Sequence, residues 1–560
     1  MRTSEHQAAP TSSNQVGVTP VEDFLSSLVM ILLVLLNHLM AKNRRLGTQM
    51  AELEAALKLE RAKRFGDSSE RSSSPNKEAS SPIIIEGEAN EILPSPSANP
   101  PKPPRRQRGG QSGHKGSGRS IPPELPRQET YYELSEAERC CPNCKLPYAE
   151  TTLTEDSEEV EVTVKAHVRR HRRKRYRQRC KCPGPKFITA PIPPKLIPKG
   201  KFTVATWVKF LLDKYQAQIP ITRQLKQLEQ IGLPVAKSTV SGGFRKLYDY
   251  LLPLYEHFLN YLRTARHLHA DETSWRVFEA VVGKANHRWW LWVFASHQIG
   301  VVVFVIDPSR SANVPKKHLA EKLPAGQTQA EGHEVNLIDG QAYALSNTLE
   351  IISADRLRVY QAISELFKVA FCWSHQRRDF VDFQKAHSDH PILFAWAESW
   401  VEEIAQLYAL NKHRLAVRDQ PDAFGKAQAE LKAAIVAMKN RTTVRQGLTI
   451  AQEKILLSME RHWDGLTIFV DDPDIPMDNN WAERLLRTPV LGRKNYYGHQ
   501  TQWAGELAAM VFSIVETCLL NDLNPYQFLV SYFQTCAELG TAPSDLTSFS
   551  PWLNRDRSPP

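Results

Sequence analysis

The most informative stretch of the chain lies late in the sequence: Asp478-Asn479-Asn480-Trp481-Ala482-Glu483-Arg484. The preceding Pro476-Met477, with Asp478 as the N-cap, predicts that a helix begins here. Residues three and four apart share a helix face, so Asn479, Glu483 and Arg487 are expected to lie side by side. The stretch therefore places one carboxylate among amide and guanidinium groups at a helix start.

Two aspartates elsewhere in the chain each end a predicted strand. Asp271 closes the alternating run from His267, and Asp355 closes the apolar run from Leu349. Attack on a phosphodiester needs an activated oxygen nucleophile and a stabilised leaving oxygen, which two Mg²⁺ ions held by a few carboxylates supply. Asp271, Asp355 and Glu483 are therefore candidate ligands of one such site. Taken alone, an Asp at a strand end is usually a cap or turn residue, and a Glu in a helix is usually solvated.

The same region predicts a multidomain α/β protein. Strands are expected at 267–271, 289–294, 300–306, 349–355 and 369–373, with a helix after the last of them. Three sequential strands followed by strand–helix alternation are typical of a ribonuclease H-like catalytic core. Residues 381–470 are mostly helix-forming and predict a helical insertion before Glu483.

Composition limits the class of protein. The chain has 560 residues, a formal net charge of +10 and a pI of about 9.1, which favours several domains and a polyanionic partner. Eight cysteines are too few for a disulfide scaffold and predict a reducing cytoplasm. The N-terminus lacks the pattern of a secretory signal, and no membrane partner is expected.

The segment 24–65 predicts a leucine-rich coiled-coil helix. Leucine fills five successive d positions, and the a positions are apolar except for one Asn. This pattern favours a parallel dimer, although apolar flanking positions leave the number of chains open. The a and d positions are Val29, Leu36, Asn43, Met50, Leu57 and Leu25, Leu32, Leu39, Leu46, Leu53. The alternatives are an amphipathic helix docked on the protein and, for 24–40, a membrane anchor.

Residues 66–125 are rich in Ser, Pro and Gly and predict a flexible linker. Part of this linker carries basic groups on a glycine-rich backbone, which can follow a phosphate chain or remain merely solvated. The DNA contacts expected there are Arg105, Arg106, Arg108 and Lys115.

Two cysteine pairs mark a small zinc-ribbon-like β module at 126–198. A Cys-Pro-x-Cys turn points two thiolates at one ion, and a second pair can complete a tetrahedral site. The predicted Zn²⁺ ligands are Cys141, Cys144, Cys180 and Cys182. The second pair has one spacer residue in place of the usual two, and a β-hairpin module without metal is the alternative.

A basic ribbon lies between the cysteine pairs. Ten Lys or Arg fall among the 17 residues 165–181, and the alternation of Val160, Val162 and Val164 predicts a strand leading into it. We expect this ribbon to contact phosphate, with a solvated strand face as the alternative. The expected contacts are Arg169, Arg170, Arg172, Arg173, Lys174 and Arg175.

Residues 199–263 predict a helical, helix-turn-helix-like DNA-binding region. One helix ends at Gly232-Leu233-Pro234, and Ser238 is the candidate N-cap of the next. Such a pattern also occurs in ordinary helical packing. The remaining predicted segments are a disordered start at 1–23, a catalytic core at 264–500, and C-terminal helices with a tail at 501–560.

The chain resembles the transposases of the insertion sequence 66 family. The motifs that carry this resemblance occur in the family order and span roughly 24–535. They are Gly109-Gly110-Gln111-x-Gly113-His114-Lys115-Gly116, the cysteine pairs, Asp271-Glu272-Thr273, Phe371-Cys372-Trp373-Ser374-His375-x-Arg377-Arg378-Asp379-Phe380, the Asp478–Arg484 stretch, and Leu491-Gly492-Arg493-Lys494-Asn495.

The resemblance implies a DDE-type transposase, with Asp271, Asp355 and Glu483 as catalytic acids that hold Mg²⁺ or Mn²⁺. It implies cleavage of element ends by water, followed by attack of the freed 3′-hydroxyl on target DNA. The implied partners are terminal inverted repeats, target DNA and helper proteins, for a homodimer or higher oligomer on the nucleoid in bacterial cytoplasm. Further phosphate contacts are expected from Arg377, Arg378, Arg484, Arg487, Arg493 and Lys494, with His375 beside them.

The second acid departs from the family pattern. Many relatives carry Asp-Gly-Tyr there, where this chain has Asp355-Arg356-Leu357. Asp355 is preferred because it ends an apolar strand and lies 17 residues before Cys372; Asp339, followed by Gly340, is the alternative. Three rival functions stay open: a metal-dependent nuclease without strand transfer, an inactive DNA-binding remnant, and a membrane-tethered scaffold.

Overall fold

The computed structural model describes residues 29–30, 32–33, 35–43, 50, 129–130, 132–136, 138–149, 160, 164–180, 182–280, 286–324, 335–338, 341–345, 348–364 and 366–554. Contacts divide the chain into two compact units, Ser69–Val168 and the remainder. Some predictions lie outside the described residues: the disordered start at 1–23, the linker at 66–125 with Arg105, Arg106, Arg108 and Lys115, and the alternative acid Asp339.

The described part of the predicted coiled coil is helical. Residues 35–43 form a continuous helix, and Val29, Leu32 and Met50 also have helical backbone. Leu32, Leu36 and Leu39 expose 56%, 53% and 58% of their surface. Pairing of this stripe with a second helix remains a prediction.

The basic ribbon holds less strand than its valines indicated. Strand β1, Arg175–Arg177, pairs antiparallel with β2, Phe187–Thr189. Val160 and Val164 have no strand backbone, and Val162 between them lies outside the described residues. All six basic residues proposed here as phosphate contacts are exposed.

Three helices follow: α1 Val204–Tyr215, α2 Ile221–Gln230 and α3 Lys237–Leu262. The hydroxyl of Thr203 caps α1 by accepting from the Thr206 N–H at 3.3 Å. Helix α3 has Ala236 as its N-cap, so the prediction of Ser238 as N-cap is wrong; Ser238 lies inside the first turn. The helix–turn–helix order is present, and DNA reading by it remains a prediction.

The next elements are strands with two short helices. They are β3 His267–Arg276, β4 Arg288–Ser296, β5 Val301–Asp307, α4 Asn313–His318, β6 Ala320–Lys322, β7 Val335–Ile338, β8 Gln341–Leu345, β9 Ile351–Ala354, α5 Arg358–Gln361 and β10 Lys368–Phe371.

Five of these strands form a mixed sheet in the order β10-β9-β3-β4-β5. Strands β3, β4 and β5 are antiparallel neighbours, whereas β9 and β10 run parallel to β3. All five strands predicted in this region are present. The small β6-β8-β7 sheet was not predicted, because its strands are too short to show a clear period.

Helices make up the rest of the described chain. They are α6 Trp373–Ala386, α7 Pro391–Ala416, α8 Pro421–Thr442, α9 Ile450–Arg461, α10 Trp463–Leu466, α11 Ile468–Asp471, α12 Asn480–Tyr496, α13 Gln502–Leu520 and α14 Pro525–Leu539, with 3₁₀ turns at Thr547–Phe549 and Pro551–Asn554. Helices α6 to α11 pack around their own apolar cluster, which includes Trp373, Phe380 and Trp400.

Helix α13 covers the edge strand of the mixed sheet. The Ser513 hydroxyl accepts a hydrogen bond from the Phe304 N–H at 2.8 Å. The Thr517 hydroxyl accepts from the Val302 N–H and donates to the Val302 carbonyl, each at 3.0 Å. These hydrogen bonds satisfy backbone N–H and C=O groups of the edge strand β5 that could otherwise pair with a strand of another chain. Within the described residues, α13 alone has the length and hydropathy of a membrane span, and 67% of that window is buried inside the protein, as expected of a core helix.

Candidate active site

The register of β3 and β9 brings two of the predicted acids side by side. His269 pairs with Ser353 in this parallel pair of strands. Continuing the register by two residues sets Asp271 level with Asp355, which directly follows β9. Because strand side chains alternate with a period of two, both carboxylates lie on the face that carries His269.

Glu483 reaches this face because α12 begins against β3. The prediction of Asp478 as N-cap is wrong by one residue, because the N-cap of α12 is Asn479. Asn479 is only 1% exposed, and its Nδ2 donates to the Ala270 carbonyl at 2.8 Å. Its Oδ1 lies 2.8 Å from Nδ1 of His269. Glu483 stands one helical turn after Asn479, with its N–H directed at the Asn479 carbonyl. The helix thus brings its carboxylate near enough to Asp271 for its charge to raise the pKa of that acid.

Burial and nearby carboxylates raise the pKa of both predicted aspartates. Burial raises the pKa of Asp271 well above its usual range, and the Glu272, Asp355 and Glu483 carboxylates raise it further. Burial and then Glu272 raise the pKa of Asp355 to about 6. Carboxylates that repel in this way become easier to ionise when a cation binds them. The donor set is all oxygen, which fits Mg²⁺ or Mn²⁺.

Glu272 is a fourth acid beside the site, and the sequence did not single it out. Its side chain is fully buried, and alternation along β3 turns it away from Asp271. Arg310 pairs with its Oε1 at 2.8 Å, and Tyr360 donates to its Oε2 at 2.7 Å. Glu272 is therefore held by neighbours of its own and acts on the site through charge.

The starts of α6 and α12 are joined by hydrogen bonds. The Trp373 N–H donates to the Met477 carbonyl at 2.9 Å, and the Asn479 N–H donates to the Cys372 sulfur at 3.2 Å. Nδ2 of Asn480 donates to the Ser374 hydroxyl at 3.1 Å. These bonds explain why two motifs about a hundred residues apart in the chain share one place in the fold.

His375 lies beside Glu483 in this junction. Its Nε2 is 3.7 Å from Oε1 of Glu483. Burial, followed by the charges of Arg378 and Arg356, lowers the pKa of His375 to about 4. The imidazole is therefore neutral at physiological pH. One ligand atom each from Cys372, His375 and Glu483 lie within 4.8 Å of one another. The spacing Cys-x-x-His before a helix was the signal for this cluster in the sequence.

Arg356, which stands after Asp355 where many relatives have glycine, has a structural role. Its guanidinium pairs with Asp379 at 2.8 Å and donates to the Gln376 side chain at 2.7 Å and to the Ser458 hydroxyl at 3.1 Å. It thereby holds the end of β9 to α6 and α9. A glycine at this position could make none of these contacts.

The predicted phosphate contacts near the acids differ in burial and in their partners, and they fall into three groups. Nη1 of Arg493 donates to Thr273 and Ser274, so this side chain fastens α12 to β3. Arg484, Arg487 and Lys494 are exposed, whereas Arg377 and Arg378 are half-buried on α6.

A basic cavity of about 840 Å³ lies further along β3. Arg276, Arg288 and Lys494 line it together with Tyr497, which is 70% exposed. No ion pair is seen for these three cations within the described part of the chain. Arg276 is five residues from Asp271, or roughly 17 Å along a strand. The sequence did not predict this cavity.

In each predicted zinc-binding cysteine pair, hydrogen-bond donors lie beside one thiol and lower its pKa. The pKa of Cys141 is lowered to about 7, first by the Cys144 N–H and then by the Asn143 N–H. Gln178 donates to the Cys180 sulfur at 3.2 Å and lowers the pKa of that thiol. Among the residues described, no group of three metal-ligating side chains includes Cys141, Cys144, Cys180 or Cys182, so no zinc site is seen there.

Known proteins match this chain across the helical region, the sheet and α12. The family described as "Transposase IS66 family" matches residues 199–507. The uncharacterized protein y4jD of Sinorhizobium fredii (strain NBRC 101917 / NGR234) is 25% identical over 460 residues, which cover 80% of this chain and 83% of that protein. The uncharacterized protein y4hP of the same strain is 23% identical over 442 residues, covering 74% and 73%.

Proposed function

The chain belongs to the IS66 transposase family, and from this premise we propose that it is a DDE-type transposase that cleaves and joins DNA. Membership makes it a DNA-binding, DNA-processing enzyme of a class that generally uses divalent metal. The DDE mechanism, the roles of individual residues and the strand-transfer step are the proposal.

One observation supports the proposal: the charges of Asp355 and Glu483, which come from two other elements, both raise the pKa of Asp271. Asp271 comes from the middle of β3, Asp355 from the end of β9, and Glu483 from the first turns of α12. Each position on its own is compatible with a structural role. The effect of Asp355 and Glu483 on the pKa of Asp271 is the repulsion expected among carboxylates that share a metal site.

The reaction follows from this placement. Asp271, Asp355 and Glu483 would hold Mg²⁺ or Mn²⁺, which when bound activates the attacking oxygen and stabilises the leaving oxygen. Asn479 and Arg493 hold the Glu483 helix on β3, so the third acid keeps its position while DNA enters. Water first cleaves a phosphodiester at the element end and frees a 3′-hydroxyl. That hydroxyl then attacks a phosphodiester of target DNA, joining the element and releasing a target 3′-hydroxyl.

The proposed DNA path runs from the acids to the basic cavity. Arg276 at the end of β3, Arg288 opposite it on β4 and Lys494 on α12 gather positive charge beyond Asp271, and such groups bind phosphate. Exposed Tyr497 at the cavity offers an aromatic ring to a base. The basic ribbon at 165–181 and the helix–turn–helix at α2 and α3 are the proposed contacts to the terminal repeats.

Assembly is part of the same proposal. The exposed leucine stripe at 29–43 is proposed to pair two copies, so that both ends of the element are gripped together. Helper proteins of the same element and a cytoplasmic, nucleoid-associated location follow from the family and remain proposals.

The test is cleavage of element-end DNA with magnesium, followed by strand transfer from pre-cut ends. We expect wild-type protein to cleave and join, and Glu483→Gln to do neither. Glu430→Gln, an exposed glutamate on α8, is the matched control and should keep both activities. Free ends without joined product would favour a nuclease, and inactive wild-type protein would favour a DNA-binding remnant.

A further inference from the structure

We propose that Cys372, His375 and Glu483 form a second cation site, selective for zinc-like ions, that shares Glu483 with the catalytic acids. Occupation of this site would withdraw Glu483 from the catalytic ions and inhibit DNA cleavage. The inhibition rests on the proposed transposase function, whereas the binding itself does not.

The geometry brings three different ligand types together. Cys372 is the N-cap of α6, His375 lies one turn into that helix, and Glu483 faces them from α12. Their ligand atoms lie within 4.8 Å of one another. A tetrahedral zinc ion binds thiolate at about 2.3 Å and imidazole at about 2.0 Å, so a small contraction of this group would enclose it.

The two ligand-bearing helix starts are fixed relative to each other. The Asn479 N–H donates to the Cys372 sulfur, which orients the thiol toward α12. The bond between Asn480 and Ser374 closes the same junction from the other side. A site built between such tied elements needs only this small contraction when an ion binds.

The imidazole has coordinating capacity left over. Nδ1 of His375 is buried and accepts or donates no hydrogen bond among the described residues. Its Nε2 is 3.7 Å from Glu483, which is longer than a hydrogen bond. Buried polar atoms are nearly always paired, so an imidazole with an unpaired Nδ1 beside a thiol and a carboxylate is available to bind an ion.

The chemistry of the ligands sets the ion. Thiol sulfur and imidazole nitrogen favour zinc over magnesium, which prefers oxygen alone. Binding would release the Cys372 proton to solvent as the thiolate forms, and water would fill the fourth position. The catalytic acids and this site therefore prefer different metals while they compete for one carboxylate.

The direct test is Co²⁺ titration of the full chain, read by sulfur-to-cobalt charge-transfer absorption. Cobalt stands in for zinc. The absorption due to this site is the absorption of wild-type protein minus that of Cys372→Ala, and this difference is the increment. We expect His375→Ala and Cys372→Ser to lose the same increment. Cys518→Ala, another buried cysteine, should keep it, as should Asp271→Asn. Melting curves establish that each variant is folded.

Equal cobalt spectra for wild type and folded Cys372→Ala would overturn the site. A second assay measures Mg²⁺-driven DNA cleavage against added Zn²⁺, each variant relative to its own zinc-free rate. The zinc concentration for half inhibition should rise at least about tenfold in Cys372→Ala, the reduction in affinity typical for a metal site that lacks one supporting side chain. If wild type cleaves no DNA, the proposed function fails, while the cobalt result still decides the site.

Discussion

The side-chain amide of Asn479 donates a 2.8 Å hydrogen bond to the carbonyl of Ala270, the residue before Asp271. This contact joins the late helix α12 to the central strand β3, more than two hundred residues earlier in the chain. It sets where Glu483 stands relative to the first acid. Asn479 is thus a positioning residue for the site, although it need not touch DNA or metal.

Replacing Asn479 should separate these elements. Asn479→Ala leaves the Ala270 carbonyl and the His269 imidazole without their partner, which should lower the free energy of unfolding by about 2–3 kcal/mol. The Mg²⁺ concentration for half-maximal cleavage should rise about tenfold or more, as for other residues that orient metal ligands. Urea unfolding and magnesium titration measure the two effects. Asn440→Ala on α8, an exposed position, should change neither.

Cleavage should depend on pH through Asp355. Its pKa of about 6 is raised by burial and Glu272, so the carboxyl is protonated below that pH and cannot bind metal. The magnesium affinity should therefore fall as pH is lowered from about 8 to about 5. Direct Mn²⁺ binding across this range measures it. An affinity independent of pH would show that Asp355 is not a ligand.

Two charged neighbours of Asp355 should shift the pH dependence of metal binding in opposite directions. Glu272 raises the pKa of Asp355, whereas Arg310 lowers it. Glu272→Gln should shift the midpoint of metal binding to lower pH, and Arg310→Met should shift it to higher pH. Shifts in the same direction would contradict the electrostatic account, whatever the cost to stability.

Removing the Asp355 charge should stabilise the metal-free protein. Its folded pKa lies above the usual value of 3.8, so ionisation opposes folding above about pH 6 and this penalty disappears below pH 3.8. Asp355→Asn should add on the order of 1–3 kcal/mol to the unfolding free energy at pH 8, because one pKa unit corresponds to about 1.4 kcal/mol. The gain should shrink as pH falls toward 4. A gain that is independent of pH would point to packing instead.

The cavity cations should contribute electrostatic affinity for DNA. Removing one phosphate contact reduces the slope of log affinity against log salt by about 0.9 on duplex DNA. Arg276→Ala and Arg288→Ala should each flatten the slope by about this amount, whatever the base sequence. Binding titrations at several salt concentrations measure it. Lys426→Ala, on an exposed part of α8, is the control and should leave the slope unchanged.

The sequence predicted the elements that carry the acids because their patterns are local. The alternation before Asp271 and the apolar run before Asp355 mark strands, and Pro476 to Glu483 marks a helix start. Each of these signals depends on neighbours within a few residues. The order of three sequential strands followed by strand–helix alternation then limited how the sheet could be arranged.

The interactions that complete the site could not be read from the sequence. The docking of Asn479 on Ala270, the burial of Glu272 by Arg310 and Tyr360, and the basic cavity all join distant segments. Ser238 failed as an N-cap because propensity alone cannot tell a cap from the first turn beside it. The basic residues at 169–174 have no strand backbone, and strand β1 covers only Arg175–Arg177. Their charges offer no apolar face that could pack against the rest of the protein.

The most direct test of the central claim is iron-mediated backbone cleavage. Fe²⁺ bound in place of Mg²⁺ cuts the chain next to its ligands when peroxide and ascorbate are added. In a Cys372→Ala background, which removes the proposed zinc-selective site at Glu483, we predict cuts near Asp271, Asp355 and Glu483 together, all suppressed by excess Mg²⁺ and all absent once Asp271→Asn is added. Cuts at only one of these positions, or cuts that persist in Asp271→Asn, would contradict a shared metal site.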